Sequence, residues 1–144
     1  MSGRRTPTDA DYRRLLELRT SLRRFQHWSE DQALLSGLTS AQHQLLLAIR
    51  GHLGPPAPSI GDIAVALLLR QHSATELIDR AAVAGLVVRR NDPSDARVVR
   101  LALTPLGRRR LASLSILHME ELTRLGRQIG PLLDSLNFLV AEGV

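Results

Sequence analysis

A mainly helical fold broken by one small β-hairpin is what this sequence predicts, and three observations carry it. Apolar residues recur at three- and four-residue steps through most of the 144 residues, the spacing of one helix face. Residues 86–90 and 97–103 are instead rich in strand formers, and the turn-forming cluster NDPSDA separates them. Two short helical stretches joined by a tight turn run directly into that hairpin, a helix-turn-helix pattern.

In chain order, Thr8-Asp9-Ala10-Asp11 offers a cap and two acids for a first helix. Leu15, Leu18, Leu22 and Phe25 form its apolar stripe, and the pattern fades near Trp28 to Gln32, before Gly37. Thr39-Ser40-Ala41-Gln42 reads as a capping box opening a helix with Leu45, Leu46 and Ile49 on one face. GHLGPPAP, residues 51–58, ends it as a short loop stiffened by three prolines. Ser59 and Asp62 signal another cap, for a short helix with Ile60, Ile63, Ala64 and Leu67. After a break at 68–70, a further helix from about Gln71 to Ala84 turns Ala74, Leu77, Ile78 and Ala81 inward, with Gly85 as its C-terminal cap. In the second strand, Val99, Leu101 and Leu103 alternate onto one face. Thr104-Pro105 supplies an N-cap and a pre-set first residue for a leucine-rich helix to about Gln128. Gly130-Pro131 is expected to restart the chain as a last helix with Leu132, Leu133, Leu136, Leu139 and Val140.

Composition narrows the function classes. Hydrophobic content of 44% and charge of 23% fit an ordered globular chain. No apolar run reaches membrane-spanning or signal-peptide length, so a cytoplasmic protein with no membrane partner is expected. Cysteine is absent, which excludes disulfides and thiolate metal sites within the chain. All 19 basic residues are arginine, which a bias towards GC-rich codons explains. Residues 70–110 hold nine arginines against four acids, the whole formal net charge of +5. Either this is a polyanion-binding face or a solvated basic surface.

Taken in order, GLTSAQ at 37–42, the helix from Ser73 to Ala84 leading into GLVVRR at 85–90, DPSDAR at 92–97 and LALTPLG at 101–107 resemble the winged helix-turn-helix of the multiple-antibiotic-resistance regulator (MarR) family. Those motifs cover about half of the chain. The resemblance implies a dimeric, sequence-specific DNA-binding transcriptional regulator, a repressor released by a small-molecule effector. It also implies N- and C-terminal dimerisation helices, which divides the chain into 1–36, 37–107 and 108–144 as one compact unit. The partners are then a second copy, a pseudo-palindromic double-stranded DNA operator and an effector. The effector pocket would lie between the dimerisation helices and the winged domain, suited to a small aromatic or amphipathic anion. Trp28, His43 and His52 are either its lining or core packing.

Candidate DNA contacts follow from chemistry on that frame. Arg70, Gln71, His72, Ser73 and Thr75 fall at the start of the second helix, away from its inward stripe. Their polar groups bond base edges or phosphates, or else Ser73 and His72 serve free backbone N–H groups there. Arg80 is a phosphate or base contact, expected to pair with Glu76 four residues earlier. Asp79 reads as structural. Asp95 and Arg97, two apart on an extended segment, project from one face, so the carboxylate can aim the guanidinium into a narrow minor groove. The alternative is a silent surface salt bridge. Asp92-Pro93 reads as a turn initiator. Two departures stand out: Leu68-Leu69 replaces the glycine usual in the family's turn, and Ala81 replaces a usual leucine.

An enzyme finds little support. There is no phosphate-binding glycine motif, and His27, His43, His52, His72 and His118 have no metal-ligand spacing. No catalytic residue, metal or cofactor is expected. The alternative function is a protein-interaction or ligand-binding module that keeps the winged fold without binding DNA.

Overall fold

The computed structural model describes residues 5–142, with side chains described through residue 136. Five helices and one hairpin follow in order: α1 (Asp9–Leu35), α2 (Ser40–Arg50), α3 (Ile60–Ala66), α4 (Gln71–Val83), β1 (Val87–Asn91), β2 (Val99–Leu103) and α5 (Pro105–Glu142). The expected mainly helical fold with a hairpin wing is what the chain adopts.

Caps set most of these boundaries. Thr39 accepts from the Gln42 N–H at 3.1 Å, and the Gln42 side chain accepts from the Thr39 N–H at 3.1 Å. Ser59 and Asp62 make the same reciprocal pair at 3.1 and 2.9 Å. At α1, the Asp11 carboxylate takes the glutamine's part, accepting from the Thr8 N–H at 2.7 Å. Each box satisfies N–H groups that a helix start leaves open.

Two helices run longer than their sequences suggest. α1 continues past Trp28 to Leu35, because nothing between 28 and 35 breaks a helix and Ala33 is fully buried. It stops at Gly37, whose φ of +76° is open to glycine at little cost. There the Leu38 N–H returns to the Ala33 carbonyl at 2.9 Å. α5 does not restart at Gly130-Pro131; it passes through them as one helix. Proline normally clashes with the Cβ of the residue before it, and Gly130 has none. The Ser135 hydroxyl also donates to the Pro131 carbonyl at 2.9 Å. Leu139 and Val140 lie outside the described side chains.

The chain forms two compact units, Gln32–Ser115 on the one hand, and residues up to 31 with those from 116 onward on the other. Both edges of the first fall outside 37–107, because Ala33 from the end of α1 and Leu111 and Leu114 from α5 complete its core. That core is built on Leu38, Leu45, Leu46, Ile63, Ile78, Leu86 and Leu101, all at most 2% exposed. The inward stripe of α4 is as expected: Ala74, Ile78 and Ala81 are buried and Leu77 packs on them. The strands pair antiparallel with Val87 opposite Leu103 and Asn91 opposite Val99. Leu101 and Leu103 point into the core, and the Leu101 N–H bonds the Pro58 carbonyl at 2.9 Å.

In the other unit, Phe25 and Trp28 of α1 cage His118 of α5, the Trp28–His118 ring centroids lying 4.9 Å apart. Ser29 Oγ and His118 Nε2 are hydrogen-bonded at 2.6 Å. Leu125 is buried there, whereas Tyr12, Leu16, Ile116 and Met119 are exposed.

Candidate nucleic-acid interface

The helix-turn-helix is α3, a tight turn and α4. The turn needs one residue with a left-handed backbone, and Leu68 takes it at φ 56°. The missing glycine therefore leaves the turn's geometry intact, with the Leu69 N–H closing onto the Ala64 carbonyl at 2.9 Å.

α4 opens without a side-chain cap. Arg70 occupies the N-cap position and makes no capping bond, so neither Ser73 nor His72 acts as the cap. Arg70, Gln71 and His72 are exposed, and Ser73 and Thr75 half-buried. The Thr75 hydroxyl donates to the Gln71 carbonyl at 3.0 Å, which leaves its oxygen free to accept. Uncapped N–H groups at this end carry the positive pole of the helix dipole.

One expected pairing is absent. Among the described residues, Glu76 and Arg80 form no ion pair; both side chains are exposed, where water and lost rotamer freedom offset the attraction. Asp79, on the same helix, pairs instead with Arg89 of β1. That ion pair ties the helix to the wing, in line with the structural reading of Asp79.

The wing tip holds the expected pair. Asp95 Oδ1 accepts from Arg97 Nε, and Oδ2 from Arg97 Nη2, each at 3.0 Å. Oδ1 also accepts from the Arg97 backbone N–H at 3.1 Å. This is a two-pronged match of planar groups, which fixes orientation as well as proximity. Bonding to Arg97 holds the Asp95 carboxyl below the usual carboxylate range, and Asp95 in turn raises the Arg97 guanidinium. The Arg97 side chain is nonetheless 90% exposed. It is held at its base and open at its face.

Asp92 does more than start the turn. Its Oδ1 accepts from the Ser94 and Asp95 N–H groups at 2.7 and 3.1 Å, an Asx-type turn. Its Oδ2 accepts from Arg100 Nε at 2.9 Å, and Arg100 Nη1 donates to the Ala57 carbonyl at 3.1 Å. The Arg100 bond is the main cause that pulls the Asp92 carboxyl below its usual range. Sequence reading missed this brace. Its signal was an acid before the turn and an arginine after it, and nothing in their spacing of eight singles them out.

The Trp28 side chain lies in the α1–α5 cage, His43 is buried on α2, and His52 lines a cavity beside β2. Among the described residues no group of histidines and acids is placed to hold a metal ion. No helix of the described residues is long and apolar enough to cross a membrane.

The comparisons with known proteins fit this geometry. The MarR family model matches residues 36–98. A MarR family transcription regulator of solved structure superposes with a TM-score of 0.74 at 22% identity, covering 92% of this chain and 86% of its own. AbsC, a MarR family transcriptional regulator from Streptomyces coelicolor, gives 0.64 at 25% identity over 92% and 98%. BpsR of Bordetella bronchiseptica, described in terms of regulation of its DNA binding by 6-hydroxynicotinic acid, gives 0.62 at 26% identity over 87% and 93%. Comparison with curated proteins finds no match. The likeness read from the motifs holds: the chain carries a MarR-family match across its helix-turn-helix and most of its wing, on the fold of that family's transcription regulators.

Proposed function

We propose that the protein is a cytoplasmic, dimeric, sequence-specific DNA-binding transcriptional regulator, a repressor that a small-molecule effector releases. The observation that carries this reading is Arg97, clamped by Asp95 yet open to solvent at the tip of a basic wing. A guanidinium whose orientation is set in advance loses little entropy when it enters a narrow, negative minor groove. The open N-terminus of α4, with Arg70, Gln71, His72, Ser73 and Thr75 around it and Arg80 further along, supplies the complementary major-groove surface. The segments 1–36 and 108–144 are assigned to dimerisation, for which the exposed Leu16 of α1 and Ile116 and Met119 of α5 supply apolar surface. BpsR supports an effector-regulated DNA reading by likeness.

The alternative, a winged module that does not bind DNA, drew on Glu76 and the missing turn glycine. Leu68 takes the left-handed conformation in any case, so half of that basis is gone.

The test is an anisotropy titration on the DNA upstream of the protein's own gene, with random duplex as competitor. Preferred binding to two half-sites about 10 bp apart is expected. Arg97→Ala should weaken it roughly tenfold and lower the salt slope by about one. An unchanged affinity and slope for Arg97→Ala would remove the wing from the interface.

A further inference from the structure

We infer that Glu76 reads a base: its carboxylate accepts a hydrogen bond from the N4 amino group of a cytosine in each half-site of the operator. The basic segment 70–110 holds four acids. Three of them are committed to arginines, Asp79 to Arg89, Asp92 to Arg100 and Asp95 to Arg97. Glu76 is the fourth, and among the described residues its side chain has no hydrogen bond or ion pair. It stands two residues from each of the fully buried Ala74 and Ile78 on α4. At about 100° per residue, that places it directly opposite the face by which the helix packs. His72, Glu76 and Arg80, all exposed, form the outward stripe at four-residue steps. Glu76 is its middle member.

A recognition helix lies in the major groove with its outward face towards the base edges. A carboxylate is restrictive there because it only accepts. Phosphates repel it, and so do O6 and N7 of guanine and O4 of thymine. Adenine offers a donor at N6 but sets the N7 acceptor beside it, whereas cytosine offers its amino group without such a neighbour. An uncommitted acid at the centre of this stripe thus favours cytosine and disfavours the other three bases. It also weakens binding to random duplex, where phosphate contacts dominate. The acid that counted against DNA binding becomes a source of its selectivity. This assignment rests on the DNA-binding reading proposed above, and its failure can be told apart from the failure of that reading.

The experiment selects sites from a pool of randomised duplex with the full-length wild-type chain, Glu76→Gln, Glu76→Ala and Arg80→Gln. Both positions are exposed, and glutamine and alanine are good helix formers, so the fold should survive each change. The wild type should require a cytosine at one position of each half-site, and Arg80→Gln should keep it. Glu76→Gln should prefer adenine there, whose N6 and N7 match a carboxamide, and Glu76→Ala should accept any base. On the selected duplex, replacing that cytosine by 2-pyrimidinone, which lacks the amino group, should weaken wild-type binding about tenfold. Glu76→Ala should be indifferent to the replacement. Identical selected sites for the wild type and both Glu76 variants would overturn the inference and leave the DNA-binding reading standing. Loss of the cytosine in Arg80→Gln, with wild-type binding weakened by 7-deazaguanine in the opposite strand, would also overturn it: Glu76 would then act by orienting Arg80 on guanine. A wild-type chain that selects no sequence at all would overturn the DNA-binding reading, and the inference with it.

Discussion

Leu68 sits at φ 56° with its side chain 93% exposed. A left-handed backbone costs a residue with a Cβ about 1–2 kcal/mol, and an exposed side chain recovers little of it by burial. Glycine removes that cost but adds about 0.4–1 kcal/mol of freedom to the unfolded chain. Leu68→Gly should thus stabilise the fold by about 0.5–1 kcal/mol, readable as a raised denaturant midpoint with unchanged slope. A lower midpoint would show that Leu68 contributes through packing. Asp92 gives a second prediction at this scale. Its carboxyl is held below the usual carboxylate range in the folded protein, first by Arg100 and then by the Ser94 N–H. A depressed folded value means the contribution is complete above the ordinary carboxylate value of the unfolded chain and is lost as pH falls through the lower folded value. Asp92→Asn should therefore destabilise the protein near neutrality and make its stability less dependent on pH below about 4. Parallel acid-unfolding curves for the two proteins would contradict this. Asp95 and Arg97 were legible as a pair from their types and closeness, but not by the expected geometry: Ala96 and Arg97 form a turn rather than an extended segment, closed by the Val98 N–H on the Asp95 carbonyl at 3.0 Å. Asp92 and Arg100 were not legible, since their meeting depends on how the hairpin closes.

Among the elements, the first turn of α5 is the most tightly specified. The Thr104 hydroxyl donates to the Gly85 carbonyl at 2.6 Å and accepts from the Gly107 N–H at 3.0 Å. Gly107 lies so close to β1 that a Cβ there would meet the Leu86 carbonyl oxygen at 2.2 Å. Backbone cannot yield as a flexible side chain does, so Gly107→Ala should cost about 2–3 kcal/mol, measured by thermal unfolding. A loss well below 1 kcal/mol would show that α5 can shift away from the hairpin. Thr104-Pro105 announced this helix start, and Thr39, Ser59 and Thr8 announced theirs, because a capping box is a local device that needs no tertiary partner. Helix ends were less legible. α1 outlasts its clear stripe because Ala33 is anchored in a core contributed mostly by residues far along the chain. The passage of α5 through Pro131 likewise depends on Gly130, which has no Cβ for the proline ring to meet.

At the scale of the molecule, charge is concentrated along the sequence and apolar surface is not: Leu53, Leu68 and Val83, each more than nine-tenths exposed, lie within Gln32–Ser115. The formal net charge of +5 falls within residues 70–110, while Tyr12, Leu16, Ile116 and Met119, each more than half exposed, belong to the other compact unit. Large apolar side chains exposed on α1 and α5 are costly to hydrate and would be covered by a second copy packing against them. A dimer would place two basic wings on one duplex, and the second contact would then form at high effective concentration. Disrupting the apolar face should therefore reduce operator affinity without touching any residue near DNA. Met119→Glu, an exposed position where a charge is harmless to a lone chain, should lower the mass in light scattering from about twice 15.9 kDa towards 15.9 kDa. Its operator affinity should fall by about a hundredfold, while its circular-dichroism spectrum stays that of the wild type. A helical, dimeric Met119→Glu protein would move the dimer contact elsewhere. A monomer that kept full operator affinity would mean that a single winged unit suffices for recognition, and the apolar face would then need another occupant.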